Sequence, residues 1–258
     1  VETSLGKRIL GYLQRSLTVA VVISAFLVGL YFLIQAQGYH FRWNAAMDYL
    51  PALNKGLRNT LAISSLSLVL SVLLGIIIGM GRLSKITVVS DLCAAYVQAL
   101  RNIPLLVIVL MAYFGFGSIF PQLSSFFWGI LALTVLESAY IAEIVRSGIG
   151  AIHKEQGESA HSLGMNYLQT MRYIILPQAL RNILPALTGQ LVILIKDSSL
   201  VMVIGIMELT LTARYLLSVT FAAMEIYALT AVYYFVVCFA LSMVSNYLER
   251  RFALARGQ

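Results

Sequence analysis

Between Leu57 and Met80 the chain reads LRNTLAISSLSLVLSVLLGIIIGM, and from Thr60 to its end this stretch carries no charged residue. A helix needs about 20 apolar residues to cross the hydrocarbon core of a bilayer, so the stretch is long enough to span one. Similar runs flank it. We read six spans: Leu17–Gln35, Leu57–Met80, Leu92–Phe116, Phe126–Val145, Pro185–Ile206 and Ile226–Leu248. The whole chain of 258 residues is 60% hydrophobic and only 11% charged, against roughly 25% charged in a soluble domain. The expected fold is an all-α polytopic membrane bundle.

The net charge of +7 would suggest nucleic acid in a soluble chain. Here its distribution has another reading. Once the spans are assigned, Lys7, Arg8, Arg15, Arg82, Lys85, Arg146, Lys154, Arg172, Arg181, Arg250, Arg251 and Arg256 fall on one side of the membrane, and only Arg42, Lys55, Arg58 and Arg214 on the other. Basic residues are retained in cytoplasmic loops, which places both termini and the loop around His153 to Arg172 in the cytoplasm. The first run is longer than the apolar part of a signal peptide and lacks a small-residue cleavage site, so it reads as a retained span. Cys93 and Cys238 share no metal-binding or redox spacing with His40, His153 or His161, and we expect no metal site.

Within the spans, Ser67, Ser71, Gly75 and Gly79 recur every fourth residue and line one helix face. Small residues there let another helix approach closely, either as static packing or as a sliding contact beside a pathway. In the third span, Arg101-Asn102-Ile103-Pro104 interrupts the apolar pattern. Either the span is kinked at Pro104 with Arg101 facing a protein-lined cavity, or Ile86 to Leu100 is an interfacial helix before a shorter span. The segment Tyr39 to Asn54, with Trp43, Tyr49 and Pro51, suits an external interfacial stretch.

Charges at mid-span are costly and face protein or water-filled cavities. Glu137 and Lys196 lie at similar depth, each about eleven residues or 16 Å of rise into its span. They are expected to pair with each other across two helices, or to line a cavity for a zwitterion. Glu143 and Arg146, three apart, are within reach of a local ion pair, and Asp197 can pair locally with Ser198 or Ser199.

The loop between the fourth and fifth spans is about forty residues long, and long loops of this kind usually carry function. It runs His153-Lys154-Glu155-Gln156-Gly157-Glu158-Ser159-Ala160-His161-Ser162-Leu163-Gly164 and on to Ile174-Ile175-Leu176-Pro177. A short helix through Ala160 can end at Gly164 in the left-handed conformation. Asn166 can cap a second helix, with Gln169 completing a capping box. Pro177 and Pro185 punctuate the return to the membrane. The result is a helix-turn-helix with Lys154, Glu155, Glu158 and Arg172 at its rim, shaped to be gripped by another protein.

These residues resemble the permease subunits of ATP-binding-cassette importers for polar amino acids, of the histidine, glutamine and glutamate type. That family's cytoplasmic signature is Glu-Ala-Ala, three residues, Gly, nine residues, Ile, one residue, Leu-Pro. Glu158-Ser159-Ala160, Gly164, Ile174 and Leu176-Pro177 keep the spacing, with Ser159 for the central Ala; Glu155 also stands where Gly is usual. The likeness extends to Arg101-Asn102-Ile103-Pro104-Leu105-Leu106, to Ala139-Tyr140-Ile141-Ala142-Glu143-Ile144-Val145-Arg146, to Pro177-Gln178-Ala179-Leu180-Arg181 and to Lys196-Asp197-Ser198-Ser199-Leu200.

The resemblance implies a five-helix permease core at 57–251 with its coupling loop at 147–182. Residues 1–56 would add a cytoplasmic segment, a span and an external loop, and 252–258 a cytoplasmic tail. It also implies the partners: a dimer of ATPase subunits docked on the loop, a second permease that is a copy or a homologue, a soluble amino-acid-binding receptor and the lipid of a bacterial plasma membrane. ATP and Mg would be handled on the ATPase, and no cofactor or catalytic residue is expected on this chain, which has no GxxxxGK[ST] phosphate loop. A nucleic-acid partner is not expected. The pathway residues are then Glu137, Ser138, Lys196, Asp197 and Arg101. A stand-alone secondary transporter with an intramembrane relay is the alternative, and it leaves the loop unexplained. Which amino acid is carried stays open.

Overall fold

The computed structural model describes residues 21–254, apart from positions 23, 26, 27, 30 and 34, with side chains described as far as position 251. The first expected span thus lies partly outside the described residues; those described between Val21 and Ala36 are helical. The chain divides into two compact units, Val1–Trp43 and Asn44–Gln258. In the first, Tyr31, Phe41 and Trp43 stack in sequence, with ring centroids 5.3 and 6.2 Å apart.

The second unit carries eight helices that matter here: α1 Leu50–Arg82, α2 Thr87–Arg101, α3 Leu105–Ile119, α4 Ser125–Gly150, α5 Lys154–Ser162, α6 Tyr167–Ile204, α7 Leu209–Thr220 and α8 Ala223–Leu254. No strand occurs among the described residues. Four of these helices, α1, α4, α6 and α8, are long and apolar enough to cross a membrane, and the bent pair α2–α3 is long and apolar enough together to be a broken fifth span or a re-entrant loop. The chain is a multi-pass membrane protein. The expected external stretch is shorter than anticipated, because Trp43–Met47 is already helical and α1 begins at Leu50. Pro51 sits in its first turn, where a missing N–H costs nothing.

Helix α4 is the centre of the bundle. Its most apolar window is 72% buried inside the chain, against 28% for α1 and 11% for α8, so α1 and α8 turn most of their apolar surface outward. Along α1 the small residues Ser67, Ser71, Gly75 and Gly79 are buried, while Leu66, Val69, Leu73 and Ile77 are exposed. With no water to expel, close backbone approach holds such helices together. The small row packs on α4: a Cβ at Gly75 would meet Ile141 Cγ2 at 2.6 Å and the Ser138 carbonyl at 3.0 Å, and one at Gly79 would meet the Ala142 carbonyl at 2.9 Å. Ser71 Oγ donates to the Ser67 carbonyl at 2.6 Å. The geometry is that of an internal packing seam.

The interrupted third span is sharply bent at Pro104. α2 and α3 meet at 101° across Asn102–Pro104, since a residue before proline is pushed out of the helical region and Pro104 itself opens α3. Ile63, Val109, Trp128, Leu133, Leu194 and Val201 form the main core between α1, α3, α4 and α6.

Candidate functional site

Glu137, at the middle of α4, is 1% exposed. Gln190 Nε2, from α6, donates to its Oε2 at 2.7 Å. The other oxygen, Oε1, is buried and has no hydrogen-bond partner among the described residues. Asp197, half-buried, stands seven residues beyond Gln190, two turns along the same helix face, and close enough to Glu137 to interact with it electrostatically. The site is therefore one carboxylate and one amide in contact between α4 and α6, with Asp197 within electrostatic range.

The expected ion pair between Glu137 and Lys196 does not form. Lys196 is exposed and makes no ion pair among the described residues. The two residues do not share a level: Glu137 meets Gln190, and Lys196 lies six residues further along α6, about 9 Å of helix rise. Nor does Asp197 pair with Ser198, whose hydroxyl donates instead to the Ile195 carbonyl at 2.7 Å. Ser138 is turned away as well: its Oγ lies 2.8 Å from Tyr96 Oη, fastening α2 to α4. Sequence reasoning missed Gln190, although an amide in an otherwise apolar helix was the available signal.

One and a half turns further along α4, Glu143 makes the expected local pair with Arg146, whose Nε donates at 3.2 Å. It also binds Arg82 from the end of α1 and lies 3.8 Å from Arg101 at the end of α2. Arg101 stands 5.4 Å from the centre of the Tyr140 ring. A polar cavity of about 470 Å³ opens here, lined by Arg82, Gln98, Arg101, Asn102, Tyr140 and Glu143. Arg101 thus faces a protein-lined cavity, on the α1–α2 side of α4, with Glu143 and not with Glu137.

The helix-turn-helix follows the sequence closely. α5 ends where Gly164 takes φ +79°, and its last carbonyls are satisfied by Met165 N–H to Ala160 O at 3.1 Å and Gly164 N–H to His161 O at 2.9 Å. Asn166 and Gln169 form the reciprocal capping box, both bonds 2.9 Å. Ala160 and Thr170 are buried between the two arms. Glu158, Ser159 and Pro177 are exposed and Ile174 is half-buried. Immediately before Pro177 the helix widens into a π turn, Met171–Ile175, which gives the proline ring room against the carbonyl it would otherwise strike. Leu163, Leu168 and Tyr173 are 82%, 75% and 64% exposed. These apolar side chains, which the sequence reading passed over for the charged rim, form the greasy tip of the knob, and Leu176 is 38% exposed beside them.

A bundle with this knob matches a known family. The sequence profile described as "Binding-protein-dependent transport system inner membrane component" matches residues 71–254. This chain belongs to that family of permeases. Over 215 residues it is 38% identical to a probable amino-acid ABC transporter permease protein of Bacillus subtilis, YckA, covering 83% of this chain and 95% of the relative. Over 213 residues it is 35% identical to the glutamine transport system permease protein GlnP of Escherichia coli, covering 82% and 97%. Among solved structures, a chain of an amino acid ABC transporter crystallised with histidines superposes with a TM-score of 0.78 at 36% identity, over 83% of this permease and all of that chain. The described helices and these relatives make the protein the membrane-spanning permease subunit of an ABC importer.

Proposed function

We propose that this permease carries a polar amino acid inward and forms half of the pathway with a second permease subunit. A soluble receptor delivers the substrate, and a separate pair of ATPase subunits, which hold the ATP and Mg, grips the knob formed by α5 and the start of α6. The names of the relatives, which include glutamine and glutamate/aspartate permeases, support the substrate class. The basic bias of the loops supports a plasma-membrane orientation with both termini and α5 in the cytoplasm.

The observation that carries this reading is the Glu137 carboxylate, held through one oxygen by Gln190 while the other lacks a partner. Leaving a buried acceptor unsatisfied costs about 1–3 kcal/mol, more for a charged group. A substrate ammonium offers the missing donor. Asp197, two turns further along α6, adds a second negative group within electrostatic range, and the exposed Lys196 next to it offers a cation at the far end of the route. Ser138 keeps α4 against α2 at this level, and Arg101 borders the route on the other side of α4. Gly164, Leu163 and Leu168 supply shape and apolar area to the ATPase contact, with Glu158, Ser159, Ala160, Ile174, Leu176 and Pro177 fixing its frame.

The test is uptake of labelled amino acids into vesicles holding the permease, its ATPase and its receptor. Glu137→Gln keeps the shape and removes the charge; uptake should fall about tenfold or more, the scale of one charge-assisted hydrogen bond, while the ATPase still co-purifies. Normal uptake of every amino acid tested would remove Glu137 from the pathway.

A further inference from the structure

The cavity beside Glu143 is a second, chemically opposite site. Three guanidinium groups, from Arg82, Arg101 and Arg146, converge on a single carboxylate, leaving a local surplus of two positive charges. Arg82 and Arg146 are committed to Glu143 by direct hydrogen bonds. Arg101 is held only loosely, at 3.8 Å and 42% exposed, with its guanidinium near the Tyr140 ring and the Asn102 and Gln98 side chains lining the same space. Among the described residues no further carboxylate lines the cavity.

The cavity also lies at a telling depth. Glu143 precedes the end of α4 by seven residues, about 10 Å of helix rise, and Arg82 is the last residue of α1, so the cluster lies toward the end of the bundle from which α5 projects. Unbalanced cations at that depth are expensive unless an anion meets them. Guanidinium matches a phosphate with two parallel hydrogen bonds, and basic pockets between membrane helices on the cytoplasmic side are suited to anionic headgroups. The volume of about 470 Å³ holds far more than a single small ion.

We infer that this cavity binds the phosphate of an anionic phospholipid from the leaflet on the α5 side, with Arg101 as the group that reaches it and Arg82 as its fixed neighbour. The chemistry is that of an oxyanion, so free phosphate and a substrate carboxylate are the competing sources.

The experiment is lipid retention by the intact chain purified in mild detergent, measured by native mass spectrometry after exposure to equal amounts of phosphatidylglycerol and phosphatidylcholine. The wild type should keep phosphatidylglycerol selectively. Arg101→Gln should cut that retention about tenfold, as loss of one bidentate charge-assisted contact predicts. Gln98→Glu, which touches no ion pair and sets a carboxylate on the wall, should do the same in a protein whose thermal unfolding is unchanged. Inorganic phosphate and glutamate, each at millimolar excess, should fail to displace the lipid. Equal retention of both lipids, retention unaffected by both variants, or displacement by either free anion would overturn the assignment.

Discussion

Glu137 and Glu143 lie six residues apart on the same helix and live in opposite surroundings. Glu137 is 1% exposed and has one neutral partner, the Gln190 amide. Glu143 is 26% exposed at its side chain and has three cationic neighbours from three helices. A carboxylate tied down by guanidinium groups is a fastener: it joins α1, α2 and α4 at one end of the bundle. A carboxylate with one oxygen unpartnered among the described residues, against a single amide, is an acceptor open to a donor, as the substrate role proposed for Glu137 requires. Position in the chain does not separate the two roles; the number and charge of partners does.

If this contrast is right, the largest loss of stability should come from Glu143→Gln. Removing one partner of a buried ion pair leaves the others unbalanced and costs about 3–5 kcal/mol, and with Glu143 part-exposed we expect roughly 3 kcal/mol of that. A thermal unfolding midpoint in detergent equal to that of the wild type would break the comparison at once. Arg82→Gln should cost less, about 1–2 kcal/mol, because Arg146 from the same helix still holds Glu143; chemical denaturation of both variants would rank them, and the reverse ranking would make the α1 contact the true fastener.

At Glu137 the readout should separate the other way. Gln190→Leu removes the one donor to that carboxylate among the described residues, and we expect uptake to fall about tenfold with the ATPase still bound, whereas a loss of assembly without a change in residual transport would make Gln190 a packing residue. The smallest effect is expected outside the membrane. Asn166→Ala removes the cap of α6 at a cost of about 1 kcal/mol, so ATP-driven uptake should weaken by a few-fold while facilitated binding of substrate at the Glu137 site is untouched. Gly164→Val, which forces a branched side chain into a left-handed turn, should exceed it by the further roughly 1–2 kcal/mol that this conformation costs, and an equal effect of the two would locate the coupling somewhere other than in the turn.

What the sequence made legible is what depends on near neighbours. Asn166 and Gln169 are three apart, Gly164 follows α5 directly, and Glu143 and Arg146 share one face, so local rules sufficed for the knob and for half of the ion cluster. The spacing of the loop was also specific enough to identify the family. The contacts that give the interior its chemistry join residues distant in the chain: Gln190 to Glu137 across 53 positions and Arg82 to Glu143 across 61. Hydropathy gives only a coarse depth and no azimuth: α6 begins at Tyr167 and not at the expected Pro185, so Gln190 and not Lys196 is level with Glu137. Pro104 announced a break in the third span, but its angle is fixed by how α2 rests on α1 and α4.

One consequence of α6 is mechanical. It runs from Tyr167, in the knob, through the π turn at Met171–Ile175 and past Pro185 and Gln190 to Ile204. The distance from Tyr167 to Gln190 along its axis is about 35 Å. Treated as a lever pivoting at the knob, it swings Gln190 through about 0.6 Å for every degree of tilt. Two degrees would carry the 2.7 Å bond to Glu137 beyond the reach of a hydrogen bond, roughly 3.5 Å. A tilt of that size, if the π turn and Pro185 do not absorb it, would part the Gln190 amide from the carboxylate.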